Sequence, residues 1–406
     1  MQRAEEPSTV AIGRSAILGE AERPISSMGS QLVAMLGPDF RSRMSQQLVF
    51  ERAFQGFKNE FFTWNDLNHA LNRRSVFPAD LQLSHDGDVL PRAKYSNSDG
   101  LIDLHQLSQI VRDGASIIVD GLDRINDRVR DTTTDIMRLT GEVASCNLFV
   151  TFYDSQAFHS HFDEVDTVIV QLEGTKHWQV HGPSEKDPLP EYGESDPRNC
   201  PNEVLLDAVL EPGDVLHVPR GWWHTVRGAG GRSLHVTFAF TRKTGFDFVR
   251  WLAWKALGDE RIRQSLDRWG SAESRIAQRD QILASFLNAA ESLTVDDFFK
   301  EEASKADGWQ GVSLPWSITG TDLPGNLRVR VLAVFAPLLE SNEEILKMTF
   351  AGNVVTLSKA YEPILNKVLE VQSTTIEELA EASGAPRRAV ADLVRQLQVI
   401  GLVELI

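Results

Sequence analysis

The fold is decided by residues 159–178, which read HSHFDEVDTVIVQLEGTKHW. Within this stretch, an apolar and β-branched run ends in a Glu-Gly-Thr turn that leads directly into a second run starting at Lys176. A related pattern fills residues 209–224, VLEPGDVLHVPRGWWH, where two short runs are separated by proline, glycine and aspartate. β-branched runs bounded by turn residues predict paired strands, so both stretches indicate antiparallel β-structure.

Six such runs are predicted to be strands, and short strands with these turns are typical of a β-barrel or sandwich. They cover residues 147–152, 167–172, 176–181, 204–210, 215–218 and 233–240. Helical periodicity predicts helices over residues 31–75 and 120–139, three more between residues 248 and 304, and a helix-turn-helix pattern over residues 375–400. The chain is therefore predicted to be an α+β protein with a central barrel.

Two histidines and one aspartate in the quoted stretches are predicted to hold a metal ion. His161 and Asp163 are two residues apart, and in an extended strand they would point to the same side. His224 follows a tight turn that can bring it back across the barrel. Two imidazoles and one carboxylate on one face of a metal leave three positions open, which suits Fe(II), although the same set can hold Mn, Co, Ni or Zn.

Lys176 stands at the start of the strand that follows the hairpin, beside the predicted ligands. The ordinary expectation for such a residue is a solvated strand lysine. If the side chain points into the barrel instead, its buried ammonium needs a negative partner. A dicarboxylate such as 2-oxoglutarate would supply one, with one end on the metal and the far carboxylate on the lysine.

Residues 147–241 resemble the JmjC-type 2-oxoglutarate oxygenases, and most of all their ribosomal-oxygenase branch, which hydroxylates protein side chains. The resemblance is carried by His161-Phe162-Asp163, by the hairpin that leads into Lys176 and by the turn that leads to His224. It implies a double-stranded β-helix, which is the jelly-roll or cupin barrel. It also implies a 2-oxoglutarate-dependent dioxygenase, a hydroxylase that consumes O2 and releases succinate and CO2.

The resemblance also implies roles for particular residues. In that family the two histidines and the aspartate bind iron, which implies the same for His161, Asp163 and His224. The lysine after the hairpin binds the far carboxylate of 2-oxoglutarate, which implies this role for Lys176. The family's asparagine, on the strand before the metal motif, corresponds to Asn147, which is implied to line the cosubstrate site.

A domain order follows from the same resemblance. Residues 1–110 are expected to form a helical region that packs on the barrel, and residues 111–245 the JmjC/cupin catalytic domain. Residues 246–315 are expected to be a helical dimerisation segment, and residues 316–406 a winged-helix-like C-terminal domain that does not read DNA. The expected assembly is a homodimer.

The composition limits the possible partners. The chain has 406 residues, a formal net charge of −16 and a pI of about 5.1. Such a surface repels phosphate backbones and favours a basic protein or peptide substrate over nucleic acid. The two cysteines support neither a disulfide framework nor a cysteine metal site. Because no run suits a signal peptide or a membrane span, a cytoplasmic protein is expected.

Several residues near the predicted site keep more than one interpretation. His159 fits a pocket wall, a substrate contact or an alternative ligand. His235 and Thr237 share one strand face, where pocket lining and core packing are equally consistent with their positions. Phe149 stands where relatives often have a tyrosine, so the hydrogen bond of that tyrosine is not expected here.

Two other functions stay open at this stage. The His159-x-His161 pair resembles the motif of metal cupins, including dioxygenases that do not use 2-oxoglutarate. The helix-turn-helix pattern also fits a ligand-sensing regulator that binds DNA. Helices that read DNA are basic, however, and the three arginines of this segment are outnumbered by five acidic residues between Glu377 and Glu404.

Overall fold

The computed structural model describes residues 27–51, 61–189, 196–306 and 313–406, except residues 38, 45, 74, 75, 78 and 319–321. The first 26 residues, which belong to the predicted N-terminal region, lie outside this part. The described residues divide into two compact units, with the boundary between Arg242 and Lys243. None of the described helices combines the length and the apolar character needed to cross a bilayer.

The first unit contains five helices and eleven strands among its described residues. The helices are α1 (Met28–Met35), α2 (Phe40–Arg43), α3 (Trp64–Asn72), α4 (Leu104–Arg112) and α5 (Asp127–Thr140). The strands are β1 (Val49–Glu51), β2 (Leu81–His85), β3 (Asp88–Val89), β4 (Ser116–Val119), β5 (Val143–Thr151), β6 (Asp166–Glu173), β7 (Lys176–Pro183), β8 (Val204–Leu210), β9 (Val215–Val218), β10 (Trp222–Gly228) and β11 (Ser233–Thr241). All six strands predicted from the sequence are present.

Two antiparallel sheets build the barrel of this unit. The larger sheet has the order β1-β9-β6-β11-β5-β4-β2-β3, and the smaller has the order β10-β7-β8. From β6 onward the chain passes back and forth between the sheets, which is the winding of a double-stranded β-helix. Apolar side chains of both sheets pack together, including Ile169 and Leu216 of the larger sheet and Trp178, Val180 and Leu210 of the smaller. The predicted cupin-type barrel with flanking helices is confirmed.

The hairpin that leads into Lys176 depends on one glycine. Gly174 lies between β6 and β7 with a φ of +62°, and a Cβ atom there would lie 2.0 Å from the Arg232 carbonyl oxygen. Only glycine combines this backbone with such a close approach. The Gln171 side chain stabilises the same turn, because its amide donates to the carbonyls of Glu173 and Gly174 at 2.9 and 3.1 Å.

Two predictions about the flanking helices need correction. The region predicted to be helical over residues 31–75 also contains β1, which pairs with β9 at the edge of the larger sheet. The helix expected over residues 120–139 begins only at Asp127. Gly121 has a left-handed backbone with a φ of 65°, and the Asn126 side chain accepts hydrogen bonds from the first turn of α5.

The segment that contains His161 and Asp163 differs from the extended strand that their spacing predicts. Between residues 159 and 165, only His161 makes a β-bridge, and β6 begins at Asp166. The two residues therefore lie in an irregular connection before β6, and their shared direction comes from tertiary contacts rather than from strand alternation.

The second unit has its own helices, sheets and core. Its helices are α6 (Gly245–Ala256), α7 (Glu260–Arg263), α8 (Ala272–Glu291), α9 (Val295–Lys305), α10 (Glu362–Glu370), α11 (Ile376–Ser383) and α12 (Arg387–Val399). Its strands are β12 (Arg328–Val331), β13 (Leu338–Ser341), β14 (Ile345–Phe350), β15 (Asn353–Ser358), β16 (Ser373–Thr375) and β17 (Val403–Leu405). They form two three-stranded antiparallel sheets, β16-β12-β17 and β13-β14-β15.

The predicted helix-turn-helix over residues 375–400 is present as α11 and α12. Thr375 caps α11 in a reciprocal pair of hydrogen bonds with Glu378, and Gly384 ends this helix with a left-handed backbone. The buried faces of both helices join the core of the β12 and β14 sheets, through Leu379 and Leu393 among others.

Candidate metal centre

His161 pairs with His224 of β10 in an isolated antiparallel β-bridge. Each backbone amide donates to the carbonyl of the other residue, with N–O distances of 3.2 Å from His161 and 2.8 Å from His224. The two imidazole ring centroids lie 4.4 Å apart. Main-chain hydrogen bonds therefore hold these two distant parts of the sequence in one register.

Asp163 completes a group of three side chains. Its carboxylate oxygens lie 3.9 Å from Nε2 of His161 and 3.7 Å from Nε2 of His224. One possible ligand atom from each of the three residues lies within 4.8 Å of the others. These distances are too long for hydrogen bonds, so the three groups surround a common space instead of bonding to one another. The Gly221 amide donates to the Asp163 carbonyl at 2.9 Å, which ties the segment to the β9–β10 turn.

Backbone carbonyls orient both imidazoles. Nδ1 of His161 lies 2.8 Å from the His159 carbonyl, and Nδ1 of His224 lies 3.3 Å from the Trp222 carbonyl. Because a carbonyl can only accept, each Nδ1 is the donor in its contact, which leaves Nε2 as the nitrogen of each ring that faces the shared space. A metal-binding histidine is normally fixed by this kind of second contact.

The electrostatics favour a neutral imidazole at His224. His224 is 6% exposed, whereas His161 and Asp163 are half-buried. Burial, followed by the proximity of His161, lowers the pKa of His224 to about 4. Two neutral imidazoles and one carboxylate fit Fe(II) with open positions. Within the described part of the chain, no other histidine, cysteine, aspartate or glutamate joins this group.

Lys176 is a buried residue at the start of β7, with 2% of its surface exposed. The interpretation as a solvated strand lysine therefore does not apply. Its Nζ donates to the Phe149 carbonyl at a long distance of 3.4 Å, and no described carboxylate forms an ion pair with it. Burial lowers the pKa of this lysine to about 7. An ammonium in such a position is poorly stabilised by the protein alone.

A row of rings extends from the surroundings of Lys176 to His224. Phe149 stacks on His235 with 4.9 Å between ring centroids, and His235 lies 5.6 Å from the Trp178 ring. Trp178 in turn stacks on His224 at 5.8 Å. These rings belong to both sheets, so they line the space between them. The sequence pattern is consistent with either pocket lining or core packing for His235 and predicts no separate role for Trp178.

Asn147 lies on β5, two residues before Phe149 and opposite Thr237 of β11. Its side-chain oxygen accepts a hydrogen bond of 2.9 Å from the Gly121 amide. The structure thus places Asn147 on the same strand face as Phe149. The amide oxygen is already used within the protein, and the amide nitrogen is the group that could contact a ligand.

His159 lies outside the group of three. It is exposed, and its ring packs against Gly87, where a Cβ atom would lie only 2.5 Å from the imidazole. Two other histidines of the barrel, His177 and His217, make structural contacts. His177 pairs with Asp207 at 2.7 Å, and Nδ1 of His217 lies 3.0 Å from the Gln47 carbonyl.

Comparisons with known proteins agree with this geometry. The JmjC domain family matches residues 122–248. Ribosomal oxygenase 1 of Gallus gallus is 36% identical over 121 residues, which are 29% of this chain and 20% of that protein. A protein of Drosophila persimilis named bifunctional lysine-specific demethylase and histidyl-hydroxylase NO66 is 32% identical over 98 residues, or 24% of this chain and 14% of that protein. The chain thus spans about a fifth or less of the length of these relatives.

Solved structures extend the likeness beyond the barrel. The structure of YcfD, a ribosomal oxygenase from Escherichia coli in complex with cobalt and 2-oxoglutarate, covers 91% of this chain and 97% of its own. The TM-score is 0.55 at 15% sequence identity, which is evidence about the fold alone. The geometry of His161, Asp163 and His224, the domain match and this shared fold agree: residues 122–248 are similar to the JmjC domain family, and the chain is similar to the ribosomal oxygenases.

Proposed function

We propose that this protein is an Fe(II)- and 2-oxoglutarate-dependent oxygenase that hydroxylates an amino-acid side chain in a protein or peptide. O2 is consumed, and succinate and CO2 are released. One observation carries the proposal: the open group of His161, Asp163 and His224 lies in the same barrel as Lys176, a buried ammonium without a described carboxylate partner. A metal site and a separate cation suit a ligand that chelates at one end and carries a carboxylate at the other.

The proposed roles follow from these contacts. His161, Asp163 and His224 would hold the iron through two Nε2 atoms and a carboxylate oxygen. Lys176 would bind the far carboxylate of 2-oxoglutarate, which would stabilise the ammonium that burial now disfavours. Asn147 would line the cosubstrate site through its amide nitrogen. When bound, the iron would supply a site where O2, the oxidant, reacts, and 2-oxoglutarate would supply two of the electrons that reduce O2 as it is oxidised to succinate and CO2.

The remaining contribution of the chain is orientation and the exclusion of water. The backbone bridge between His161 and His224 fixes the ligands before anything binds, so no reorganisation is needed. Trp178 and Phe149 form an apolar wall near Lys176, where a charge pair is stronger than it would be in water.

We propose a basic protein as the substrate, and a ribosomal protein as the first class to examine. The net charge of −16 favours a basic partner, and the names of the relatives refer to ribosomal oxygenases. Asp163 is itself 40% exposed in its side chain, so the site opens toward a surface where a substrate can approach. The same charge balance argues against nucleic acid as a partner.

We propose the domain organisation that the sequence predicts. Residues 1–110 would pack on a catalytic domain of residues 111–245, which is supported by the pairing of β1 with β9. Residues 316–406 would form a winged-helix-like domain, which is supported by α10 to α12 and the β16-β12-β17 sheet. The protein would act in the cytoplasm.

Residues 246–315 would form the dimerisation segment of a homodimer. The support is a set of large apolar side chains that this segment exposes: Trp254 and Leu266 are each 74% exposed, and Trp269 is 90% exposed. Light scattering should give a dimer at micromolar concentration, and Trp269→Glu should shift it toward the monomer. A wild-type protein that is strictly monomeric would remove this role.

The proposed reaction can be tested by mass spectrometry of cellular proteins from strains with and without the protein. A peptide that is heavier by about 16 Da only in the presence of the protein is the expected product of hydroxylation. The same peptide, incubated with the purified protein, Fe(II), 2-oxoglutarate and air, should gain this mass and yield one succinate per hydroxylation. His224→Ala should abolish both signals.

The two alternative functions predict different results for the same purified protein. A metal cupin that does not use 2-oxoglutarate would bind Fe(II) and produce no succinate. A DNA-binding regulator would retain specific genomic fragments in a gel-shift screen at physiological salt. Either result would contradict the proposed activity.

A further inference from the structure

The space between the two sheets of the barrel, lined by Phe149, Trp178 and His224, is called the chamber below. His235 lies in its wall, between Phe149 and Trp178. In the register of the larger sheet it is directly opposite Phe149 of β5 and Gln171 of β6. Directly opposite residues of antiparallel strands point to the same face. Because the ring of His235 also lies 5.6 Å from Trp178 of the smaller sheet, its imidazole faces the space between the two sheets.

One nitrogen of the His235 imidazole lacks a hydrogen bond among the described residues. The residue is 3% exposed, and its buried Nδ1 has no hydrogen-bond partner in the described part of the chain. Buried nitrogen atoms are almost always hydrogen-bonded, because an unpaired one loses its contacts with water and gains nothing in return. The stacking on Phe149 explains where the ring lies, but it offers nothing to Nδ1.

Lys176 is the second unsatisfied group of the same wall. Its ammonium reaches only the Phe149 carbonyl, at 3.4 Å, and Phe149 is the residue on which His235 stacks. Burial, followed by the positive charge of Lys176, holds the pKa of His235 well below its usual value. A neutral imidazole beside an ammonium offers one N–H donor and one cation, and this combination complements an anionic ligand with several acceptor oxygens.

We propose that His235 and Lys176 together bind the far carboxylate of the cosubstrate, His235 through a hydrogen bond from Nδ1 and Lys176 through its charge. This role rests on the proposed use of 2-oxoglutarate. In this role His235 helps the site to select a keto acid that has a second carboxylate. A histidine that only packs in the core would affect keto acids with one or two carboxylates equally.

The test compares two ligands on three proteins. Dissociation constants for 2-oxoglutarate and 2-oxopentanoate are measured by anaerobic calorimetry on the full chain loaded with Fe(II). 2-Oxopentanoate keeps the chelating end and lacks the far carboxylate. The proteins are the wild type, His235→Phe, which keeps a ring for the stack, and His217→Phe. His217 is equally buried, but it packs on Phe40 and has no place in the chamber.

The expected result is specific to one ligand. His235→Phe should weaken 2-oxoglutarate by about tenfold to a hundredfold, because a hydrogen bond to a charged group is lost. The same variant should leave the affinities for 2-oxopentanoate and for Fe(II) within about twofold of wild type, and His217→Phe should change neither keto acid. Unchanged binding of 2-oxoglutarate by His235→Phe, or equal weakening of both keto acids, would overturn the role of His235.

An isosteric pair covers the case in which the phenylalanine variant does not fold. His235→Asn and His235→Leu have nearly the same shape, but only asparagine places an N–H donor near the position of Nδ1. Asparagine should retain most of the affinity for 2-oxoglutarate, and leucine should lose it. If the wild type itself does not bind 2-oxoglutarate, the proposed function fails together with this role. If the wild type binds 2-oxoglutarate and the His235 variants bind it with the same affinity, only the role of His235 is refuted.

Discussion

Gly228 of β10 lies directly opposite Lys176 of β7, at the point where the loop after β5 reaches the smaller sheet. The Gly228 amide donates to the Ser155 carbonyl at 3.0 Å. A Cβ atom on Gly228 would lie 2.0 Å from the Tyr153 carbonyl oxygen, far closer than two such atoms can approach. The packing of this loop beside Lys176 therefore depends on the missing side chain.

Gly228→Ala is expected to lower the free energy of unfolding by about 1–3 kcal/mol, because the strand or the loop must move to make room. Gly182→Ala in β7 is the matched control. Neither glycine has a positive φ, but a Cβ atom on Gly182 would meet only the Leu205 side chain, at 3.6 Å. Urea unfolding measures the difference, and equal stability of the two variants would contradict the close packing.

Metal binding should depend on each member of the group of three. His161→Ala, Asp163→Ala and His224→Ala should each weaken binding of Fe(II) or Co(II) by more than about a hundredfold, since loss of an outer contact alone costs about tenfold to a hundredfold. His159→Ala is the control, because the ring of His159 lies outside the group. Competition titrations with a chelator give the affinities. Loss of metal in the His159 variant alone would point to a different ligand set.

Lys176→Met should stabilise the ligand-free protein while it weakens cosubstrate binding. Burial of the ammonium without a counter-charge is unfavourable, so its removal should raise the free energy of unfolding by about 1–4 kcal/mol at pH 6. Lys347→Met, at an exposed lysine, should change stability by less than about 0.5 kcal/mol. Denaturant titrations provide both values. Destabilisation by Lys176→Met would mean that the ammonium is already well paired.

The pH dependence of stability follows from the same lysine. Its pKa is about 7 in the folded protein, against an ordinary value of 10.5. Below pH 7 the lysine is charged in both the folded and the unfolded state, and the unfavourable burial acts in full. Above pH 7 the folded protein releases the proton first, so the contribution of Lys176 to stability increases as the pH rises toward 10.5. Wild type and Lys176→Met should therefore converge in stability with rising pH.

Cosubstrate binding should show the opposite trend. The far carboxylate needs the charged ammonium, so above pH 7 the binding of 2-oxoglutarate should take up a proton. Its association constant should then fall by up to about tenfold per pH unit. Calorimetry in buffers of different ionisation enthalpy counts this proton. Lys176→Arg, which keeps its charge at every accessible pH, should show no uptake from this position.

The strands of the barrel were predictable because their signals are local. The run from Val215 to Val218 begins and ends with the β-branched residue valine, lies between turn residues and is found as β9 with the predicted limits. The three residues of β1 were missed, because so short a segment has no periodicity and becomes a strand only by pairing with β9.

The residues of the site could be predicted from the sequence, but the contacts that bring them together could not. The residue types and spacing of His161, Asp163 and His224 predict a ligand set, and the structure brings these three side chains together. Their geometry depends on the bridge between the two histidines and on the hydrogen bond from Gly221 to Asp163, which connect parts of the chain that are far apart in sequence. The sequence likewise cannot predict that Nδ1 of His235 lacks a hydrogen bond, because this depends on which side chains of the neighbouring strands surround the ring.

The most direct measurement of the central claim is an anaerobic absorption titration of the Fe(II)-loaded protein with 2-oxoglutarate. A saturable visible charge-transfer band that requires both Fe(II) and the keto acid is expected. It should be absent in His224→Ala and should need a far higher concentration of 2-oxoglutarate in Lys176→Ala. A folded, metal-loaded wild-type protein that gives no such band at any 2-oxoglutarate concentration would contradict the account.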